Sequence, residues 1–477
     1  MMKETQPAVQ FYGGKVVAFL PVVIFLGFCI EFFVVLKAFD MGALAMAALI
    51  ALLLTALFVK GSKRKNYWEA VYNGVKESAP ILVLLLVIGM FSQLIKTSQL
   101  SGGFVFLARS IHMSGSIFTA MIFLFVCIIA TATGSSLGTM FTCFPIFYPA
   151  GVLLGANPAF LAAAIVSGGI FGDNLAPISD TTVISASTQH YSHRSGTAEI
   201  GGVVRTRFKY SAVAGIIAFL VFAIFGGNGA SSTSDALSKA QVNPMSLFML
   251  ISVVLMLIVA VIYKDIYLSI TVGIIVGVIV GLATGSIHPS DIISVKDGAP
   301  VGFLVEGVSG MMSTVILVLA VYGIMGVLHE AGALDMVLHV LSSSRLGRSV
   351  VGTELMMMLG ITLTTLLFGG VTSAAMATFG KVQDELGRAA RLHPYRRANL
   401  LDGFANGLAV CVPFLSVFVF IGSQLTQGYT TAPTVSILEL SAHLVYPFLL
   451  FLVLLTSVLT GWGRIYEDED GEEIKRL

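Results

Sequence analysis

The sequence predicts an all-α polytopic membrane protein with about 12–14 membrane-embedded helices. Of its 477 residues, 56% are hydrophobic and only 11% are charged, whereas a soluble globular protein carries about 25% charged residues. The mean hydropathy is +0.92, and apolar stretches close to the bilayer-spanning length of about 20 residues recur along the chain. The 49 glycines fit closely packed and interrupted transmembrane helices.

The apolar stretches, taken in chain order, give the positions of the predicted helices. The first stretch is longer than the apolar core of a signal peptide and lacks an A-x-A cleavage site, so we expect it to be retained. Several later stretches are interrupted by small or polar residues. The predicted spans are 16–36, 41–59, 80–96, 117–132, 139–154, 159–188, 210–227, 245–263, 268–285, 310–329, 353–368, 371–389, 398–424 and 436–460.

The basic residues give the expected orientation, because cytoplasmic loops of membrane proteins are enriched in Lys and Arg. With the N-terminus in the cytoplasm, most of the 27 Lys and Arg residues fall on that side. Both termini are then cytoplasmic, and we expect the acidic stretch Glu467–Glu473 to be a solvated tail. Glu354, near a predicted helix end, is expected to be exposed. The net charge of +1 gives no reason to expect a nucleic-acid partner.

Two segments of the chain read alike, one starting at Ile81 and one at Val315, and they share Gly89 and Gly323. An odd number of predicted spans separates them, which turns the second copy upside down in the membrane. We therefore predict two inverted repeats, 1–227 and 228–477, the second ending in the acidic cytoplasmic tail. Secondary transporters use such repeats and bind their substrates near the bilayer midplane between them.

A span broken by small polar residues follows the repeated helix in each half, with the sequence TATGSSLGT in the first and FGGVTSA in the second. The first break contains GSSLG, a match to the GxSxG elbow of serine hydrolases. In a glycine-rich chain this pattern arises readily by chance, and nothing fixes a His partner, so we do not expect an enzyme. The candidate ion- or substrate-binding residues at these breaks are Thr133, Ser135, Ser136, Thr372 and Ser373.

A second break in the first half lies between Ser167 and Ser187 and places Asp173, Asn174 and Asp180 inside an apolar segment. Its proline removes a backbone donor and interrupts the helix. Backbone carbonyls freed in this way are tolerated only where they face protein, a cavity or a ligand. A carboxylate at such a depth is costly and functional by default. Together these oxygen atoms form the kind of ligand set that a small hard cation needs.

The matching segment of the second half, at 393–414, contains Asp402 and Asn406 in equivalent surroundings. Acidic and amide side chains at both breaks predict one ion site between the two halves. Alternative interpretations are that the carboxylates are satisfied polar caps at helix breaks, or that a buried Asn only bridges helices.

The run Gly172–Thr182, GDNLAPISDTT, resembles the signature of NhaC-type Na+/H+ antiporters, within the ion transporter superfamily. The resemblance implies a multi-pass exchanger of the bacterial inner membrane, with inverted repeats, re-entrant hairpins, no cofactor and a homodimeric assembly. Na+ and H+ are the implied cargo, and the family also includes carriers of organic solutes. The resemblance suggests a cation site formed by Asp173, Asn174, Ser179, Asp180, Thr181 and Thr182. With Asp402 added from the matching second-half segment, the expected Na+ ligands are Asp173, Asn174, Asp180 and Asp402.

A mechanism follows from these residues. A buried carboxylate can hold either a proton or Na+ but is too costly to leave bare, so competition for Asp173 or Asp180 would couple the two fluxes. The main alternative is a Na+- or H+-coupled transporter of an amino acid or small organic acid that uses the same ion site. The sequence gives no arginine a clear place at the midplane to bind an organic carboxylate, although the N-termini of half-helices could do so.

Overall fold

The computed structural model describes residues 9–36, 40–100, 103, 114–227, 244–263, 265–333, 349–429 and 432–475. Within these ranges the chain is almost entirely helical, with two short β hairpins. Nine of the described helices are long and apolar enough to cross a membrane, and three shorter apolar helices accompany them. The predicted all-α polytopic fold is therefore confirmed.

Local sequence explains where several helices of the first half begin. Asp40 accepts a hydrogen bond from the amide of Ala43 at 2.6 Å, and Asn157 caps the helix that starts at Pro158, where a fixed φ suits the first helical position. The first-half helices are α1 (Leu20–Ile30), α2 (Met41–Ala56), α3 (Arg64–Thr97), α4 (Gly115–Thr133), α5 (Ser136–Leu153), α6 (Pro158–Leu175), α7 (Asp180–Ser187) and α8 (Ile200–Phe225).

The second half also contains both long helices and short ones that follow breaks in the chain. Its helices are α9 (Leu250–Tyr263), α10 (Ile266–Thr284), α11 (Pro289–Ile292), α12 (Phe303–Glu330), α13 (Val350–Leu367), α14 (Thr372–Ala389), α15 (Pro394–Ala405), α16 (Leu408–Cys411), α17 (Val417–Leu425), α18 (Ile437–Ala442) and α19 (Val445–Thr460). Its strands are β1 (Ser294–Lys296), β2 (Ala299–Val301), β3 (Tyr466–Glu467) and β4 (Glu473–Ile474).

The predicted boundaries were least accurate where polar residues extend an apolar helix. The spans predicted to start at 80 and 210 belong to helices that start at Arg64 and Ile200. The stretch predicted as 398–424 is divided among α15, α16 and α17. The stretch at 371–389 forms α14, which is not among the nine candidate spans.

The breaks expected from small residues lie between consecutive helices. Gly134 adopts a left-handed conformation (φ 68°) between α4 and α5, and Gly369 and Gly370 do the same between α13 and α14. Glycine favours such positions because it has no Cβ. Between α6 and α7 the chain leaves the helix at Ala176 and enters the next one at Ser179, whose hydroxyl accepts a hydrogen bond from the amide of Thr181.

The order of the helices recurs along the chain. The helices that begin at Gly115, Ser136 and Pro158 have counterparts that begin 235 or 236 residues later, at Val350, Thr372 and Pro394. This recurrence supports the prediction of two related halves. The boundary predicted between them borders residues 228–243, which lie outside the described residues.

Helices α3 and α12, which contain the similar segments, pack directly against each other. A Cβ atom added at Gly74 would lie 2.1 Å from the carbonyl oxygen of Tyr322, and one at Gly89 would lie 2.3 Å from that of Gly307. The contact positions run in opposite directions along the two helices, so the pair is antiparallel. An inverted repeat predicts this arrangement for equivalent helices, and the inverted relation of the complete halves stays a prediction.

The sequence predicts a solvated acidic tail, but part of this tail is buried against the rest of the protein. Glu467 is 3% exposed and accepts hydrogen bonds from the amides of Ser192 and His193 at 2.6 and 3.1 Å. The neighbouring hairpin β3–β4 also carries Glu473, which pairs with Arg205 at 2.6 Å. The tail therefore docks against the connection between α7 and α8.

Glu354 likewise differs from its predicted exposure. It is fully buried and lies 2.7 Å from the nearest guanidinium nitrogen of both Arg396, on α15, and Arg464, just after α19. Its position near a helix end suggested contact with solvent, but two arginines distant in sequence surround it instead.

Candidate functional site

Asp173 is a buried carboxylate near the end of α6 whose described partners are hydroxyl groups. Ser136 donates a hydrogen bond to its Oδ2 at 2.9 Å, and Ser179 donates one to its Oδ1. Among the described residues, no Lys, Arg or His lies within ion-pairing distance of Asp173. The carboxylate is thus surrounded by oxygen atoms without a described compensating charge.

Small residues allow the two breaks of the first half to meet at Asp173. A Cβ atom added at Gly172 would lie 2.3 Å from that of Ala130, and one at Gly134 would lie 3.2 Å from the amide nitrogen of Ser179. A Cβ atom added at Gly169 would lie 3.1 Å from the backbone oxygen of Ser136. Close backbone approach of this kind is the usual role of glycine in membrane helices, and here it brings two serine hydroxyls to one carboxylate.

Asn174 connects this break to the second half of the chain. Its side-chain amide donates to Oδ1 of Asp402 at 2.7 Å. Its side-chain oxygen accepts from the hydroxyls of Ser211 at 2.7 Å and Tyr446 at 3.3 Å. Asn174 and Asp402 are both fully buried. The residues predicted to meet from the two halves therefore do lie together.

Asp402 has a full set of partners, unlike Asp173. Asn406 donates to its Oδ1 at 2.8 Å and Ser185 to its Oδ2 at 3.3 Å. Arg207 lies 2.6 Å from Oδ2 and forms a buried ion pair with it. This pair neutralises the charge of Asp402, so its electrostatic surroundings differ from those of the first-half carboxylate.

Arg207 is a charged residue of the site that the sequence did not single out, because most Lys and Arg residues were expected on the cytoplasmic side. It lies inside α8 and is 1% exposed. A signal was present in the spacing. Val203, Tyr210, Ser211 and Ala214 are buried, and Arg207 falls on the same face at the three- and four-residue intervals typical of a helix.

The other predicted residues divide into two groups. Thr181 forms a hydrogen bond with Ser179 at 2.9 Å, and Thr182 accepts one from Arg207 at 3.1 Å. Both threonines therefore contact the partners of Asp173 and Asp402. Asp180 is exposed in the first turn of α7. It therefore does not share the buried surroundings of Asp173.

Apart from Ser136, the hydroxyl-bearing residues of the small-polar breaks make no described hydrogen bond to Asp173 or Asp402. Thr133 and Thr139 bond to each other at 3.2 Å and, with Ser135, line a pocket closed by side chains of α9 and α10. Thr372 and Ser373 begin α14, and no hydrogen bond joins either of them to Asp173 or Asp402 among the described contacts. Within the same described residues, no group of three His, Cys, Asp or Glu side chains could hold a metal ion.

Residues 7–227 match the model of the Na+/H+ antiporter family. The similarity to that family therefore covers the first part of the chain. The match includes the complete GDNLAPISDTT run and ends at the predicted end of the first half, and it confirms the resemblance identified from the sequence. The family consists of membrane transporters and not of enzymes.

Two curated relatives illustrate the range of the similarity. The chain is 29% identical over 208 residues to the malate-2H+/Na+-lactate antiporter of Bacillus subtilis, over 43% of this chain and 41% of that protein. It is 31% identical over 137 residues to the Na+/H+ antiporter NhaC of Alkalihalophilus pseudofirmus, over 28% of this chain and 29% of that protein. The aligned region thus spans less than half of the length of either relative.

A solved structure aligns with more of the chain, but with a low TM-score and a low sequence identity. The MtrF transporter of Neisseria gonorrhoeae gives a TM-score of 0.40 at 12% identity, over 93% of this chain and 96% of that chain. A TM-score this low does not establish a shared fold.

Proposed function

We propose that this protein exchanges Na+ for H+ across the bacterial cell membrane, with Asp173 as the carboxylate for which the two cations compete. The observation that supports this assignment is the contrast in charge compensation. Asp173 has hydroxyl partners and no described counter-ion, whereas Asp402 is paired with Arg207. A buried carboxylate without a counter-ion is costly when it is ionised, so binding either a proton or a metal cation stabilises it.

The surrounding groups suit Na+ as well as a proton. When Na+ binds, the proton leaves the carboxyl group of Asp173, and the carboxylate with the oxygens of Ser136 and Ser179 supplies hard ligands. When a proton returns, the hydroxyls can reorient as donors, because a hydroxyl both donates and accepts. Exchange then requires that the site face each side of the membrane in turn, as broken-helix transporters with inverted repeats do.

A second candidate function is exchange coupled to a small organic acid. It is favoured by the similarity to the malate-2H+/Na+-lactate antiporter and by the hydroxyl-lined pocket at Thr133, Ser135 and Thr139. In this case the ion site would be unchanged and the solute would bind beside it. The homodimer, the absence of a cofactor and the cytoplasmic location of both termini stay part of the proposal.

Purified protein in liposomes that contain a pH-sensitive dye provides the test. A Na+ jump without organic solute should produce proton movement, and Asp173→Asn should reduce it to the level of protein-free vesicles. Asp180→Asn is the matched control, since it makes the same chemical change at an exposed carboxylate, and it should retain exchange.

Two results would change this assignment. Exchange that persists in Asp173→Asn would remove this residue from the mechanism. If the wild-type protein moves no protons after a Na+ jump until malate or lactate is added, the organic-acid exchanger would be favoured.

A further inference from the structure

Arg207 contacts both sides of the break between α6 and α7. Its Nη1 donates to the backbone oxygen of Asn174 at 2.7 Å and to the hydroxyl of Thr182 at 3.1 Å. Its Nη2 donates to the hydroxyl of Ser185 at 3.1 Å. Asn174 precedes the break, whereas Thr182 and Ser185 follow it, so one side chain joins two segments that share no continuous helical hydrogen bonding.

The same guanidinium also contacts α15 in the second half. It pairs with Asp402 at 2.6 Å, and its Nε donates to the side-chain oxygen of Asn399 at 3.1 Å. Asn399 in turn donates to Thr206, the neighbour of Arg207, at 2.8 Å. Arg207 is therefore the common partner of three elements, and nearly all of its donors are used.

This arrangement bears directly on the geometry of the carboxylate site. Asp173 is adjacent to Asn174, and Ser179, which bonds to Asp173, lies between Asn174 and Thr182 in the sequence. A guanidinium presents its donors in a rigid planar fork, whereas a lysine ammonium is a compact charge on a flexible stem. Fixing both ends of the break with one fork thus limits how far Ser179 can move from Asp173.

We propose that Arg207 is a positioning residue that sets the distance between Asp173 and the hydroxyl of Ser179, and thereby the affinity for Na+ and the discrimination between Na+ and Li+. This inference rests on the proposed exchange at Asp173. It assigns to Arg207 a role beyond neutralising Asp402, because charge compensation alone needs a cation and not a fork.

Arg207→Lys separates the two roles, because it retains the charge and removes the fork. In the liposome assay we expect the half-saturating Na+ concentration to rise by about tenfold, given the loss of several charge-assisted hydrogen bonds. The maximal rate should change by less than about threefold, and the ratio of Na+ to Li+ affinity should shift. Arg205→Lys is the matched control on the same helix, at a side chain that is 71% exposed, and it should match the wild type.

A second variant, Arg207→Gln combined with Asp402→Asn, removes the ion pair without leaving one charge unpaired. If Arg207 positions the site, this double variant should also have a raised half-saturating Na+ concentration. Wild-type Na+ affinity in either the double variant or Arg207→Lys would overturn the proposal, as would a loss confined to the maximal rate. Full exchange in Asp173→Asn would instead refute the proposed function, so the two failures are distinguishable.

Discussion

Asp173 and Asp402 are both buried carboxylates close to the end of an interrupted helix, one in each half of the chain, yet their surroundings differ. Asp173 is held by two serine hydroxyls. Asp402 is held by two side-chain amides, a hydroxyl and an arginine. Carboxylates near the ends of corresponding helices therefore need not share their chemistry, since Arg207 compensates the charge of Asp402, whereas Asp173 has no compensating partner among the described residues.

This difference suggests a division of labour between the halves. The first half would supply the carboxylate that exchanges cations, and the second half would supply a fixed ion pair against which the broken segment is held. Asn174 joins the two, because it follows Asp173 in sequence and donates to Asp402. The predictions below test whether the carboxylates are as different as their partners indicate.

The largest expected effect is on stability. Asp402→Asn leaves Arg207 buried without its counter-ion, and loss of one partner of a buried pair costs about 3–5 kcal/mol. Asp173→Asn leaves no unpaired charge and should keep or raise the midpoint of thermal unfolding in detergent. Equal stabilities of the two variants would contradict the contrast between the carboxylates.

The ion pair itself should show strong coupling between its members. Arg207→Gln and Asp402→Asn should each destabilise the protein, whereas the double variant should lose less than the two single variants together, because no isolated charge remains buried. Thermal unfolding of the four proteins, wild type included, forms the double-mutant cycle. If the losses of stability in the two single variants add up to the loss in the double variant, the ion pair contributes no coupling free energy.

A smaller effect is expected when a hydroxyl partner of Asp173 is removed. Ser136→Ala should raise the half-saturating Na+ concentration by about tenfold, since hydrogen bonds to charged groups contribute about 1.5–3 kcal/mol. Ser187→Ala, which removes an exposed hydroxyl at the end of α7, is the control. Unchanged Na+ affinity in Ser136→Ala would exclude this hydroxyl from the cation site.

The smallest effect concerns His393, the N-cap residue of α15. Burial lowers the pKa of His393 to about 4, and its Nδ1 accepts a hydrogen bond from the amide of Tyr395 at 3.2 Å. The unfolded chain, with a His pKa of about 6.5, takes up the proton first. Stability should therefore fall as the pH decreases from about 6.5 towards 4.

Unfolding measured across this pH range checks that expectation. His393→Asn keeps a side chain able to cap α15 and removes the titrating group, so it should flatten this part of the pH dependence. A wild-type profile in the variant would assign the acid sensitivity to other groups.

Hydropathy and the distribution of small residues were sufficient to predict the membrane fold, most spans and the breaks. They were also sufficient to single out Asp173, Asn174 and Asp402, because polar groups inside apolar stretches are rare. The surroundings of each charge could not be predicted, since Arg207 and Asp402 are 195 residues apart. The exposure of Asp180 and the burial of Glu354 likewise depend on packing that a linear pattern does not contain.

The docking of the tail has a consequence for how the protein is made. Residues 462–475 are synthesised after all the described helices, yet Glu467 holds the connection that leads into α8, the helix that contains Arg207. During translation, α8 enters the membrane long before this restraint exists. The contacts of Glu467 with the first half can therefore form only after residues 462–475 have been synthesised. A fusion partner joined directly after β4 would have to leave that hairpin free to dock.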